Sequence, residues 1–200
     1  MTVIEAQADV LAFFNDAVRG AAETRGYDPE APSTAYVAGV LAEYTRPEST
    51  HDEALRRPMI LLLKDALEAN GSERFRRLRG LGDHALYVSG FFADHLDRRG
   101  VQRPYVHDLG RTAYDALAAM LRRKGGETRG PDVFHELAEN FEELVALVSD
   151  VADALYAASA KDPRDILVLY ERWSRRGSRA LGEALVRWGL APTRGSGMTH

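Results

Sequence analysis

Aspartates and histidines with the chemistry of metal ligands are concentrated between Leu78 and Leu121. Asp94 and His95 end one predicted helix, and His107 and Asp108 begin the next, so the connection between these helices brings the two pairs to one end of a bundle. Carboxylate oxygens and imidazole nitrogens bind divalent metals, which makes these four residues a candidate metal site. The simpler interpretation is that they are solvated polar residues at helix ends, since isolated histidines are seldom ligands.

Iron chemistry is an alternative function that the histidines raise. A helical-bundle enzyme or carrier would bind iron or haem through His84, His95 or His107. Ferritin-like carboxylate enzymes repeat Glu-x-x-His on two helices, and this chain has a single related copy, Asp132-x-x-His135. No Ser-His-Asp order, nucleophile elbow, Walker loop or glycine-rich dinucleotide turn indicates a reaction, so the sequence leaves both catalysis and the cofactor open.

Two glycines lie inside predicted helices of the same region, with aromatic residues on either side. A glycine in a helix interior costs about 1 kcal/mol relative to alanine, so Gly90 and Gly110 indicate a close approach of two helices or a binding site. Helix packing alone is the simpler interpretation, and a pocket is the alternative. A wall of aromatic and histidine side chains suits a flat organic ligand or a tetrapyrrole better than a phosphate. The candidate ligand-binding residues are Tyr87, Gly90, Phe91, His107, Gly110 and Tyr114.

The composition excludes several classes of function. The chain has 200 residues, 45% of them hydrophobic and 28% charged, and contains no cysteine, which rules out disulfides and thiolate chemistry. No apolar run approaches the roughly 20 residues of a membrane span, and the first residues lack a secretory signal, so a cytoplasmic protein is expected. A net charge of −4 gives no overall attraction to phosphate backbones.

Two basic segments keep a nucleic-acid-binding regulator as a further alternative. Arg74, Arg76, Arg77 and Arg79 are spread around most of a helical cylinder, so a solvated face with some intramolecular pairing is the simpler interpretation. The turn Arg176-Gly177-Ser178 has the length of a helix-turn-helix connection, but the helix after it uses its large apolar residues for packing. Nucleic acid is therefore not the expected partner.

The elements that position these residues are predicted to be helices. Apolar residues recur at spacings of three and four, most strongly over Phe134–Leu155, where one long helix is expected. The apolar residues of Leu78–Leu96 also stay in one register, which favours a helix that continues, straight or gently kinked, through Gly80 and Gly82 to about Arg98.

The expected fold class is all-α, because no strand of alternating period is found and the connections suit antiparallel neighbours. A single-domain antiparallel bundle of seven or eight helices is expected over residues 1–190, with a flexible C-terminal tail over residues 191–200. Ser33 is expected to cap the second helix, and Asp162-Pro163 to begin the last but one. Ile60–Leu63 is expected to be deeply buried, since it is apolar on every side.

Three segments carry a resemblance to known sequences: Leu81-Gly-Asp-His-Ala-Leu-Tyr-Val-Ser-Gly-Phe-Phe92, Tyr105 with Gly110 and Ala113-Tyr114, and Leu169-Tyr-Glu-Arg-Trp173. They resemble an uncharacterised bacterial family of all-helical proteins that has a G-D-x-x-L-x-x-x-G-F-F segment and no assigned activity. The resemblance implies a soluble, bacterial helical protein and gives no role to any residue.

The leading functional hypothesis is a protein-interaction or small-ligand-binding module, because the pattern specifies helix packing thoroughly and chemistry hardly at all. A protein partner or a second copy of the chain is a candidate partner, and a small organic ligand is another. An exposed part of the Phe134–Leu155 stripe would pack against a partner helix as readily as against an intramolecular core.

Overall fold

The computed structural model describes residues 3–45, 57–125 and 132–191, and within these residues it contains ten helices and no strand. The predicted all-α class is therefore confirmed. Residues 192–200, which make up nearly all of the predicted flexible tail, lie outside the described residues. The helices are α1 (Val3–Arg25), α2 (Pro32–Tyr44), α3 (Met59–Glu68), α4 (Gly71–Phe91), α5 (Ala93–Arg98), α6 (Arg103–Gly125), α7 (Val133–Glu139), α8 (Phe141–Ser159), α9 (Pro163–Arg176) and α10 (Arg179–Arg187).

The central helix α4 passes through Gly80 and Gly82 without a break and ends at Phe91. Phe92 leaves the helical conformation, with φ −117° and ψ 24°. Its carbonyl then accepts the backbone N–H groups of His95 and Leu96, at 2.8 and 3.0 Å, which starts α5 at once. A helix reaching to about residue 98 is therefore wrong beyond Phe91, and the short α5 follows as a separate helix.

The long helix expected over Phe134–Leu155 is interrupted at Asn140, so this prediction is wrong at one residue. The Asn140 side-chain amide donates to the backbone carbonyl of Glu136 at 3.2 Å, and Asn140 has φ −101° and ψ 25°. An asparagine amide that bonds to nearby backbone competes with the helical hydrogen-bond pattern. The breaks at Phe92 and Asn140 account for two helices beyond the predicted eight. The apolar stripe itself is buried on both sides of the break, at Phe134, Leu137, Phe141, Leu144, Val148 and Val151.

The chain divides into two compact units, residues 1–149 and residues 150–200, which we call the first unit and the second unit. In the first unit α1 packs on α2, α3 on α4, α4 on α6, and α6 on α7. Helices α4 and α6 run antiparallel, since Gly82 lies against Tyr114 and Ala85 lies against Gly110. The expectation of a single domain over residues 1–190 stays a prediction.

The second unit contains the end of α8 together with α9 and α10. Asp162 accepts the backbone N–H groups of Arg164 and Asp165, at 2.7 and 3.3 Å, so the predicted start of α9 is confirmed. Arg172 is buried and donates from Nε to Asp153 Oδ1 at 2.5 Å, which ties α9 to the end of α8. The core of this unit consists of Ala157, Leu169, Trp173, Leu181, Ala184 and Leu185.

Helix α3 shows that local hydrophobicity overestimated burial. Within Ile60–Leu63, Leu63 is buried, whereas Ile60 and Leu61 are exposed, so the expected deep burial of this run is wrong. Helix α3 packs on α4 through the face that carries Leu63 and Ala66, three residues apart. Residues two and three positions before Leu63 that point away from this contact remain in solvent. No described helix is both long and apolar enough to span a bilayer.

Ser33 does not cap α2, because α2 begins at Pro32 and Ala31 occupies the N-cap position. The Ser33 side chain is instead fully buried, and its hydroxyl donates to Glu136 Oε1 at 2.6 Å. Tyr27 Oη donates to the same oxygen at 3.3 Å. The predicted cap is wrong, and the hydroxyl instead links α2 to α7.

Ser33→Ala is expected to lower the free energy of unfolding by about 2 kcal/mol, since a hydrogen bond to a carboxylate contributes about 1.5–3 kcal/mol. Urea unfolding followed by circular dichroism would measure it. Ser174→Ala is a matched control, because the exposed Ser174 hydroxyl donates to the Glu171 carbonyl of its own helix at 2.9 Å. Equal effects of the two substitutions would contradict a role for Ser33 in joining the helices.

Candidate functional site

Tyrosines of α2 meet titratable side chains of α4 along one interface in the first unit. Tyr36 lies opposite Asp83, and Tyr44, two turns later, lies opposite Tyr87. The two helices therefore run in the same direction here, with long side chains between them. We call this interface the α2–α4 seam and define it by Tyr36, Tyr44, Arg79, Asp83, His84 and Tyr87.

A buried carboxylate occupies the middle of the seam. Asp83 Oδ1 accepts hydrogen bonds from Tyr36 Oη and from Tyr114 Oη, each at 2.8 Å. Arg79 Nε lies 3.3 Å from Asp83 Oδ2 and donates to Tyr36 Oη at 3.1 Å. Three donors from three helical turns or helices thus surround one acid, which lets the carboxylate remain inside the protein.

The electrostatics of this cluster place one proton equilibrium near neutral pH. Burial raises the pKa of Asp83 to about 6, although the hydrogen bonds from Tyr36 and Tyr114 and the charge of Arg79 act to lower it. Burial, reinforced by the negative charge of Asp83, raises the pKa of both tyrosines. The tyrosines therefore stay protonated as donors, and Asp83 is the group that gains or loses a proton.

A continuous set of aromatic rings extends from the seam, and we call Tyr44, Tyr87, Phe91 and Phe92 the aromatic strip. The ring centroid of Tyr87 lies 4.3 Å from that of Tyr44, 5.0 Å from that of Phe91 and 5.6 Å from that of Phe92. The Tyr87 and Phe91 rings are stacked, at 26°. Tyr44, Tyr87 and Phe91 are half-buried, and Phe92 is 45% exposed. The strip therefore ends at a ring that solvent reaches.

The six predicted ligand-binding residues fall into separate groups. Tyr87 and Phe91 belong to the aromatic strip. His107 and Tyr114 both lie near Phe141, with ring centroids 5.8 and 6.0 Å from it. Tyr114 is fully buried by its neighbours. Their role in ligand binding stays a prediction, but the six do not form one wall.

The two predicted glycines mark close contacts between helices. A Cβ on Gly110 would overlap the Phe141 ring and lie 2.7 Å from Ala85 Cβ, so α6 and α4 approach closely there. A Cβ on Gly90 would overlap the side chain of Val148, so this glycine faces α8 and not the helix that follows it in sequence. Gly82, to which the sequence analysis gave no role, makes the corresponding contact with Tyr114.

The four predicted metal ligands occupy different surroundings. Asp94 is half-buried on α5, next to the exposed His95. Burial beside Phe141 lowers the pKa of His107. Asp108 is exposed and lies 2.5 Å from the Arg111 guanidinium. Among the residues that the structure describes, no three His, Asp or Glu side chains are grouped so that they could hold a metal ion.

Three of the four arginines between residues 74 and 79 form ion pairs within the first unit. Arg76 and Arg77 pair with Glu73. Arg79 pairs with Asp83, as described above, and lies 3.6 Å from Glu43 Oε2. The intramolecular pairing expected of this basic segment is therefore observed.

The sequence analysis singled out neither Asp83 nor Tyr36 as a site residue. A signal was present, because Asp83 interrupts an apolar run between Leu81 and Leu86 on a helix that the periodicity places in the core. A charge at such a position must find partners, and here the partners come from α2 and α6.

Comparisons with protein-family models, with curated proteins and with solved structures found no match to this chain. The resemblance to a bacterial helical family therefore stays a prediction, and the functional argument depends on the geometry of the site.

Proposed function

We propose that this protein is a non-enzymatic binding protein that holds a flat organic group against the aromatic strip. The observation that supports the proposal is the continuity of the four rings, each 4.3–6.5 Å from the next, together with the exposure of the last. Aromatic rings attract other flat rings by stacked or edge-to-face contact, and each pair contributes about 0.5–1.5 kcal/mol beyond the burial of its area.

The composition of the strip indicates the chemistry of its ligand. Phe91 and Phe92 offer only ring carbons, whereas Tyr44 and Tyr87 add hydroxyl groups toward the seam. A ligand that matches this gradient is flat and mostly apolar, with a polar group at one edge. Small-molecule sites in proteins commonly combine an apolar wall with a few polar groups in this way.

The strip lies beside the Asp83 cluster, which gives it a fixed support. Tyr44 contacts both Tyr87 and the buried His84, with the Tyr44 and His84 rings stacked at 6.3 Å. Because Asp83 holds Tyr36 two turns earlier on the same α2 helix, the position of Tyr44 is coupled to the cluster. A wall that is already in place loses little conformational entropy when a ligand binds.

Titration with N-phenyl-1-naphthylamine, a flat and neutral fluorescent probe, would test the proposal. Phe92→Ala is expected to raise the dissociation constant of the probe by about 3- to 10-fold, which corresponds to the loss of one aromatic contact. Phe13→Ala is the matched control, because Phe13 is 50% exposed on α1, close to the 45% of Phe92, and lies outside the strip. We expect the control to bind the probe as the unmodified protein does.

Two results would overturn the proposal. One is an unmodified protein that does not enhance the fluorescence of the probe. The other is an equal loss of affinity in the Phe92 and Phe13 variants, which would show adsorption to exposed rings in general. Circular dichroism of both variants would confirm that the helices are retained.

A further inference from the structure

The second unit exposes large apolar side chains on its last two helices. Between 39% and 69% of each of these residues is accessible, which is high for leucine, valine and tryptophan in a soluble protein. We call this surface the terminal patch. It consists of Leu167, Val168 and Tyr170 on α9, and of Val186, Trp188 and Leu190 at the end of α10.

The geometry of a helical hairpin brings these residues to the same end of α9 and α10. The two helices pack on each other and are joined by a short turn at Gly177, which has a φ of 66°. Because the connection is short, the first half of α9 lies beside the last turn of α10. Leu169 and Leu185 pack in the core beneath, and their sequence neighbours form the patch on the outside.

We propose that a second copy of this chain covers the terminal patch in a symmetric dimer. The six residues expose on the order of 500 Å² per copy, against about 800 Å² per partner in a stable interface, about two-thirds of it apolar in homodimers. The patch thus has the size and composition of the centre of such an interface.

The charges around the patch favour a second copy over a lipid surface. Basic residues at Lys161, Arg164 and Arg187 alternate with acidic residues at Asp165 and Glu171. In a two-fold interface each surface faces itself, so a rim of mixed sign lets a basic group of one copy meet an acidic group of the other. An anionic membrane would instead be matched by an excess of lysine and arginine.

The chain's own C-terminal residues are a poor match for the patch. The nine residues that follow Ala191 include one large apolar side chain, Met198, against the six that are exposed. A second copy supplies six.

Sedimentation equilibrium of the full chain over a wide concentration range would test the dimer. Leu167→Glu and Val186→Glu are each expected to raise the dimer dissociation constant by about 30-fold or more, because each substitution occurs twice in a symmetric interface. Both side chains are exposed, so the helical circular dichroism is expected to be unchanged. Leu11→Glu on α1, where Leu11 is 42% exposed, is the control and is expected to leave the dimer intact.

Three outcomes would overturn the proposal. They are a monomer at every concentration of the unmodified protein, a dimer that neither patch variant dissociates, and a control variant that dissociates as much as the patch variants. Cosedimentation of a monomeric protein with phosphatidylserine vesicles would assign the patch to a lipid surface instead.

Discussion

Gly82→Ala is expected to lower the free energy of unfolding by about 3 kcal/mol, whereas Gly80→Ala is expected to raise it by about 1 kcal/mol. The two glycines lie two residues apart on α4, so the same substitution is made in the same helix. Any difference between them must come from what surrounds the added methyl group.

The surroundings of the two positions are opposite. A Cβ on Gly82 would lie 2.5 Å from Tyr114 Cε1, and Tyr114 is fully buried. The ring has little freedom to move away, because its hydroxyl donates to Asp83 at 2.8 Å and the ring lies between Tyr36 and Phe141. Gly80 is exposed, and no heavy atom lies within 4 Å of a Cβ built there, so alanine adds only its better helix propensity.

Urea unfolding of the three proteins would measure both effects. A change in the slope of the transition would show that the substitution altered compactness as well as stability. If Gly82→Ala proved as stable as the unmodified protein, the close approach of Tyr114 to α4 would be wrong, and with it the arrangement of donors around Asp83. A destabilising Gly80→Ala would show that this part of α4 is not helical.

The sequence predicted the helices well and their interruptions poorly, for a physical reason. Hydrophobic periodicity reports which face is buried, and that face continues across Phe92 and across Asn140. The interruptions depend on one residue each: an asparagine amide that bonds to the Glu136 carbonyl, and a phenylalanine whose carbonyl starts the next helix. Such local competition leaves no trace in a pattern averaged over several turns.

The site shows the same limit at longer range. Tyr87 and Phe91 share a stripe because they are four residues apart, so their pairing was visible in the sequence. Tyr44 completes the strip from a different helix, 43 residues earlier, and only tertiary packing brings it there. The burial of Asp83 likewise depends on Tyr36 and Tyr114, which are 47 and 31 residues away in the chain.

Raising the pH from about 4 to 7 is expected to destabilise the unmodified protein by about 3 kcal/mol relative to Asp83→Asn. Burial raises the pKa of Asp83 from its ordinary 3.8 to about 6, so the folded state holds this proton more tightly than the unfolded state does. The resulting contribution to stability is fully present below about pH 4 and is lost as the pH rises through 6. Asparagine stays neutral throughout and lacks this dependence.

The comparison must be made as a difference between the two proteins, because other carboxyl groups act in the opposite direction. Arg77 lowers the pKa of Glu73, and the backbone amides of Lys161 and Asp162 lower that of Asp165. Their contributions are lost as the pH falls, but they are present in both proteins and cancel in the difference. The cost of placing an asparagine amide near Arg79 changes the level of the difference but not its pH dependence.

Urea unfolding of both proteins at a series of pH values would trace this difference. Asp108→Asn is the control, since Asp108 is exposed and its ion pair with Arg111 is a surface pair worth less than about 1 kcal/mol. A difference between Asp83→Asn and the unmodified protein that stays level from pH 4 to 7 would mean that Asp83 titrates as an ordinary surface carboxylate. The buried cluster of Asp83, Tyr36 and Tyr114 would then not hold in solution, and the support that it gives to the aromatic strip would be lost with it.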